Sequence, residues 1–330
     1  MSARTTTRLA HALFALSALS CSPANVGGPL ADAGPDSGLD ASTDGGTSAE
    51  QACLDRAYAY CTQLQRCSTT AIVIRFGDVQ TCKKYVEGEC VGALTAPSSS
   101  GTVAQTEACA AAEPSWGCND ILYNQNIPPP CVQPAGPLAN GSPCTVNQQC
   151  QTLWCARATG EACGACAVPP LSGDPCGGGS CPSPLVCSSA SICVAYVEMG
   201  NQCSPTSPCD SGLTCVGGIC EAGVTTINSP CAAGGPGCDM FSGLACNAQS
   251  GSCKTLLLVG GGEACGEVEN QPNTCIMGVC LRGACVSYAA LGEACDVDTG
   301  PACAPILRCI LTADGGTAGA CQITGTGSCP

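Results

Sequence analysis

The chain has 330 residues, of which 35 are Cys, 42 Gly and 24 Pro, while aromatics make up only 3% and charged residues 11%. That leaves too few bulky side chains for one large hydrophobic core, and the Cys density is that of a disulfide scaffold. The formal charge of -14 argues against a nucleic-acid partner, since phosphate backbones require clustered Lys and Arg.

Residues 1–20 have the order of a secretory signal peptide: Arg4 and Arg8, an apolar run from Leu9 to Leu19, then small residues before Cys21. The run is shorter than the roughly 20 apolar residues of a spanning helix. The segment ALSC resembles a bacterial lipobox, with Ala18 in place of the usual Leu and a bulky Leu19, and it marks Cys21 for lipidation. Cysteine parity agrees, since setting Cys21 aside leaves 34, an even number that suits seventeen bridges. Several acyl chains on Cys21 would hold the protein at a membrane, whereas one would not. Residues 21–50 then form a disordered tether of Asp, Gly, Ser and Pro, in which Asp32, Asp36, Asp40 and Asp44 keep the chain solvated. Its expected reach is roughly 30 Å.

From 51 to 136 the composition changes and six aromatics appear: Tyr58, Tyr60, Phe76, Tyr85, Trp116 and Tyr123. Ser48 followed by Gln51 signals a capping box, and Cys53, Ala57, Tyr60, Leu64 and Cys67 then recur at helical spacing. A second helix is expected from Asp78, aligning Val79, Cys82, Val86 and Cys90. A third is expected from Thr102 to Ala112, and a short fourth after Cys118. Eight cysteines (Cys53, Cys61, Cys67, Cys82, Cys90, Cys109, Cys118 and Cys131) suit four bridges between neighbouring helices. The Tyr and Trp residues are read first as the core of this small domain and second as a binding face.

Residues 137–330 are periodic, and the period delimits six four-Cys modules: 137–170, 171–198, 199–225, 226–258, 259–289 and 290–330. Their cysteines, in order, are Cys144, Cys150, Cys155 and Cys166; Cys176, Cys181, Cys187 and Cys193; Cys203, Cys209, Cys215 and Cys220. The second half continues with Cys231, Cys238, Cys246 and Cys253; Cys265, Cys275, Cys280 and Cys285; Cys295, Cys303, Cys309 and Cys321. Cys163 and Cys329 stand outside this grammar. Three residues before each first Cys stands Gly141, Gly173, Gly200, Asn228, Gly262 or Gly292. Asn is the best non-Gly occupant of a left-handed backbone position, so a turn is expected there in all six modules. Two residues before the third Cys stands an inward Leu (Leu153, Leu185, Leu213, Leu244 or Leu307), replaced once by Gly278. Two residues before the fourth stands Gly164, Gly218, Gly251, Gly283 or Gly319, replaced once by Ser191. Four cysteines allow three pairings. The crossed one, first with third and second with fourth, restricts a short segment most and is preferred.

The fold class expected is therefore small and disulfide-rich: a stapled N-terminal α-helical domain, then tandem Cys-rich modules with short β-hairpins and little regular structure. The pattern G-x-x-C … C … G-L-x-C … G-x-C resembles the Dickkopf N-terminal cysteine-rich repeat. The whole layout is similar to the cysteine-rich lipoproteins of myxobacteria.

Chemistry is constrained just as firmly. The sole histidine, His11, lies in the leader, which removes the commonest general base and metal ligand from the exported chain. No catalytic residue, metal or cofactor is expected. The one C-x-x-C, Cys163 to Cys166, has zinc or redox spacing but no second such pair, and an oxidising compartment favours disulfides. The expected function is a non-enzymatic, exported, membrane-anchored surface protein, an elongated array of modules for adhesion or for recognition of a protein or glycan. The alternative is a secreted protease inhibitor, for which Lys254 is the one evident primary residue in the long inter-cysteine stretches.

Overall fold

The computed structural model describes residues 47–176, 181–182, 185–188, 191–204, 207–209, 213–232, 237–297, 299–312, 316–325 and 329. The chain divides into two units, Met1–Gly45 and Gly46–Pro330. The leader, Cys21 and the tether up to residue 46 lie outside the described residues.

The helical domain opens with α1 (Ala49–Cys67), which starts directly after the expected cap at Ser48. Ser48 caps it, its hydroxyl accepting from the Gln51 N–H at 3.1 Å. Gln51 does not reach back; its amide donates forward to Asp55 at 2.9 Å, so the cap is one-sided and not a reciprocal box. Next comes α2 (Thr69–Phe76), capped by Ser68 and ended by Gly77 at φ 77°, which the sequence reading does not foresee. Then follow α3 (Val79–Thr95, capped by Asp78), α4 (Val103–Ala112, capped by Thr102) and α5 (Cys118–Tyr123). Two bridges, Cys53–Cys90 and Cys61–Cys82, tie α1 to α3; Cys67–Cys118 ties α1 to α5, and Cys109–Cys131 secures the end of α4. Phe76, Tyr85 and Trp116 are buried and Tyr60 and Tyr123 half-buried, so most of the aromatics are core. Tyr58 is exposed, with the Lys83 ammonium 4.1 Å above its ring.

The described part of 137–330 holds seven small sheets of two or three strands. In every module the third and fourth cysteines face each other across an antiparallel pair: Cys155↔Cys166, Cys187↔Cys193, Cys215↔Cys220, Cys246↔Cys253, Cys280↔Cys285 and Cys309↔Cys321. Residues directly opposite in such a ladder send their side chains to the same face. Each pair of sulfurs therefore emerges together. The third closes on the first (144–155, 176–187, 203–215, 231–246, 265–280, 295–309). The fourth closes on the second (150–166, 181–193, 209–220, 238–253, 275–285, 303–321). The crossed order holds in all six modules.

The glycine grammar has a hydrogen-bond counterpart. Gly141, Gly173, Gly200, Asn228, Gly262 and Gly292 all have φ between 64° and 97°. Each donates its N–H to the fourth cysteine's carbonyl at 2.7–2.8 Å. The fourth cysteine's N–H in turn donates to the carbonyl of the next residue along, from Ser142 to Glu293, at 2.8–2.9 Å. That pair of bonds clips the start of every module onto its own hairpin. Gly200→Ala, with open space around its Cβ but φ 81°, is expected to cost about 1 kcal/mol, measured as a shift in the urea midpoint. The second conserved position of the grammar works in two ways. Ser191, Gly218, Gly251 and Gly283 take positive φ in tight turns, whereas Gly164 and Gly319 lie in three-stranded sheets where a Cβ would strike the Ala156 or Ile310 carbonyl.

Two expectations need correction. The grammar's Leu is buried only at Leu244 and Leu307; Leu153, Leu185 and Leu213 are half-buried. In the array expected to be elongated, moreover, modules four to six pack on the helical domain. Ala289, Ala304 and Leu307 lie in one core with Leu64, Ile72, Phe76 and Ile121, and Phe241, Met277, Tyr288, Ile306 and Ile323 pack against it. The physical reason is the shortage of apolar side chains within each module: modules four to six bury theirs on α2 and α3. The approach is close enough to require glycine, since a Cβ on Gly92 in α3 would stand 2.6 Å from the Thr324 carbonyl. Alanine is worth roughly 1 kcal/mol over glycine in a helix interior. Gly92→Ala is nevertheless expected to destabilise by about 1–3 kcal/mol, because the clash is with backbone. Thermal unfolding of the oxidised variant measures it.

The two cysteines outside the grammar bond each other. Cys163 and Cys329, 166 residues apart, bring the C-terminal end back to module one.

Candidate recognition cleft

The seventeen disulfides use every cysteine from Cys53 to Cys329. Cys163 and Cys166, the two ends of the C-x-x-C, bond to Cys329 and Cys150 and not to each other. Groups of three module sulfurs, such as Cys144, Cys150 and Cys166, lie within 4.8 Å of one another. They do so because two bridges stack in each module. A sulfur in an S–S bond carries no thiolate charge and is not the ligand a zinc site needs. Titration of the denatured, unreduced protein should accordingly find no free thiol among these cysteines, and one or more per module would contradict the pairing. Cysteine usage on this scale marks a protein that folds in an oxidising, exported environment. Among the described residues no helix is long and apolar enough to cross a membrane.

A cleft of about 350 Å³ opens where α5 meets modules three and four. Asn119, Tyr123 and Gln125 come from α5 and its end, Glu198 from the end of module two, Met199, Leu213 and Thr225 from module three, and Asp239 from module four. The helical side is rigidly placed. Cys118 is bonded to α1, the Arg75 guanidinium donates to the Leu122 carbonyl at 2.6 Å, and Asn124 ends the helix at φ 56°. The Trp116 indole then donates to the Gln125 carbonyl at 2.8 Å, which fixes the backbone that carries the Gln125 amide.

The module side is placed just as firmly. Asp239 receives the Phe241 N–H at 2.9 Å and the Ser242 hydroxyl at 2.5 Å, capping a 3-10 turn over 240–242. Phe241 in turn stacks 5.3 Å from Tyr123, with Arg75 5.1 Å above its ring, and its carbonyl accepts from Ser68. Burial, followed by the nearby Asp239 carboxylate, pushes the Tyr123 phenol above its ordinary range, so it stays protonated and can donate. The lining thus offers two amides, two carboxylates, a phenol, a hydroxyl and two apolar side chains around one concavity. That set can exchange hydrogen bonds with several hydroxyl or amide groups at once while giving an apolar surface to their carbon framework.

Lys254 sits elsewhere. It lies in the strand Ser252–Thr255, opposite Ala245, and donates to the Asn228 side chain at 2.7 Å. A primary residue for a protease cleft stands on a free extended loop; this one is built into a hairpin. Of the cleft residues, the sequence marks only Tyr123 as an aromatic for a binding face, and none as a ligand contact. Comparisons with protein-family models, with curated proteins and with solved structures find no match.

Proposed function

We propose that the chain is an exported, non-enzymatic recognition protein, lipidated at Cys21 and held at a membrane, with Dickkopf-like cysteine-rich modules in the manner of myxobacterial lipoproteins. The modules serve as a stapled frame folded back on the helical domain, which replaces the elongated array expected from sequence. The observation that carries this reading is the cleft at α5. Its walls come from three parts of the chain, and its polar groups suit a glycan or an extended polypeptide. Bridged walls lose little freedom when a ligand binds, which favours affinity from a small contact area.

A glycan and peptide array probed with the oxidised protein tests the reading. Gln125→Ala and Asn119→Ala should each weaken a captured ligand by about tenfold, the worth of one or two hydrogen bonds. Melting temperature should not change. Capture that survives both substitutions would remove the cleft from the account. Lipidation is tested separately by mass spectrometry of the N-terminus, where an unacylated end beyond Cys21 would refute the anchor.

A further inference from the structure

A second cavity, of about 340 Å³, lies between the loop of module one that carries Arg157 and the last module, where Arg308 begins the strand Arg308–Leu311. We propose that this cavity is a binding site for an oxyanion group, a phosphate, sulfate or carboxylate, held between the Arg157 and Arg308 guanidinium groups. The observation is independent of the α5 cleft and of what that cleft binds.

Placing two arginines on one cavity is unusual in this chain, which has only 11 Lys and Arg against 25 Asp and Glu. Like charges brought together cost energy unless an anion joins them. A solvated surface offers acidic partners in abundance here, yet neither arginine forms an ion pair within 4.0 Å among the described residues. Arg157 is half-buried. One end of its guanidinium donates to the Thr145 carbonyl at 2.6 Å, while its Nε–H is buried with no acceptor. A guanidinium has five N–H donors, and a buried one left without an acceptor is an uncommon expense in a native fold. Arg308 stands exposed at the mouth, where it can close on an incoming group. Consistently, burial and the neighbouring Arg308 charge pull Arg157 down to about 10, well below the ordinary guanidinium value.

The two carboxylates on the cavity do not fill this role. Asp296 is turned into its own loop, accepting the Thr299 N–H and the Thr317 hydroxyl at 2.8 Å each. Glu161 is exposed at the rim. The remainder of the lining includes the apolar Val297 and Leu307, so the group carrying the anion can rest against carbon.

The site is also conditional on the fold's closure. Residues 157 and 308 are 151 positions apart, and two things hold their segments together: the Leu311 N–H donating to the Gly160 carbonyl at 3.0 Å, and the Cys163–Cys329 bridge. The positive-φ Gly160 permits this contact, because a Cβ there would strike Leu311. The terminal disulfide therefore assembles the cavity.

The test is titration of the full oxidised protein with inorganic phosphate, sulfate and acetate, read by the NMR shifts of the arginine Nε–H groups and by calorimetry. The expected result is saturable movement of the Arg157 Nε–H with a Kd of about 1 mM or tighter for at least one anion, and the ranking of the three identifies the source chemistry. Arg308→Gln, an exposed change that leaves the fold intact, should weaken binding about tenfold or more. Glu161→Gln should strengthen it by removing a like charge from the rim. Cys163→Ser with Cys329→Ser should weaken it with the remaining sixteen bridges in place. No saturable shift with any of the three anions, or an affinity unchanged by Arg308→Gln, would overturn the proposal. So would weaker anion binding in Glu161→Gln, the reverse of what a site for a negative group predicts.

Discussion

Replacing Leu64 by Ala should lower the stability of the protein by about 3 kcal/mol and should loosen modules five and six along with the helices. Leu64 has no exposed surface and sits in the core that Ala289, Ala304 and Leu307 share with α1, α2 and α5. Large-to-small changes at such positions cost about 2–5 kcal/mol, through lost transfer energy and the cavity left behind. The informative part is where the loss spreads. If the modules were beads on a string, opening the helices would leave residues 289–307 untouched. Packed as they are, their amides should exchange faster in Leu64→Ala, at the same denaturant concentration at which Trp116 fluorescence reports the helices opening. Protection at 289–307 that does not change would mean the two parts fold separately.

The second large effect depends on pH. Glu113 is 1% exposed, and its Oε2 has no hydrogen-bond partner, while Oε1 is 3.4 Å from the Arg56 Nε. Burial outweighs Arg56 and pushes its carboxyl from the ordinary 4.5 up to about 7. Between those two values the folded protein holds a proton that the unfolded chain releases. Stability is therefore greatest below about pH 4.5 from this group, falls as pH rises through the window, and the contribution is gone above about 7. The shift amounts to about 3 kcal/mol. In Glu113→Gln the amide stays neutral, and the slope between pH 5 and 7.5 should lose the share of Glu113, keeping only that of other groups such as Glu89, whose carboxyl burial also raises. That variant should equal the parent near pH 5 and exceed it at pH 8, as read from urea midpoints. Equal pH slopes in the two proteins would show that Glu113 ionises freely in the folded state.

Much of this architecture is written locally, and that part is legible. The left-handed turn at Gly141, Gly173, Gly200, Asn228, Gly262 and Gly292 can be read from residue type alone, because few residues tolerate positive φ. The caps Ser48, Asp78 and Thr102 likewise announce their helices. By contrast α2 escaped notice because TTAIVIRF is rich in β-branched residues with weak helix preference; its evidence was at the ends, in Ser68 and Gly77. The fold-back escaped for another reason. Phe241, Met277, Tyr288 and Ile306 lie in short irregular segments between cysteines with no helical or strand periodicity, and nothing in their neighbourhood says whether they face water or a helix.

The candidate sites were harder still. The α5 cleft draws residues from 119 to 239, and the arginine pair is joined by a bridge between positions 163 and 329. Neither has a spacing to recognise. What signal existed lay in parity: once the grammar claims 24 cysteines, Cys163 and Cys329 are left, but the sequence leaves open whether they bond each other or the helical domain. The same arithmetic explains the C-x-x-C, whose two sulfurs serve different bridges.

The account stands on sulfur holding the modules where apolar burial is too small. Modules two and three test it most directly, since none of their described residues belongs to the buried cluster they would otherwise share with the helices. Hydrogen exchange at the Cys193 and Cys220 amides, which bond to the Asp174 and Asn201 carbonyls at 2.8 and 2.9 Å, should be measured before and after complete reduction and alkylation. Loss of two bridges per module removes about 2–4 kcal/mol each, and both amides should then exchange at the rate of an unfolded chain. Amides that keep their protection without a single S–S bond would contradict it.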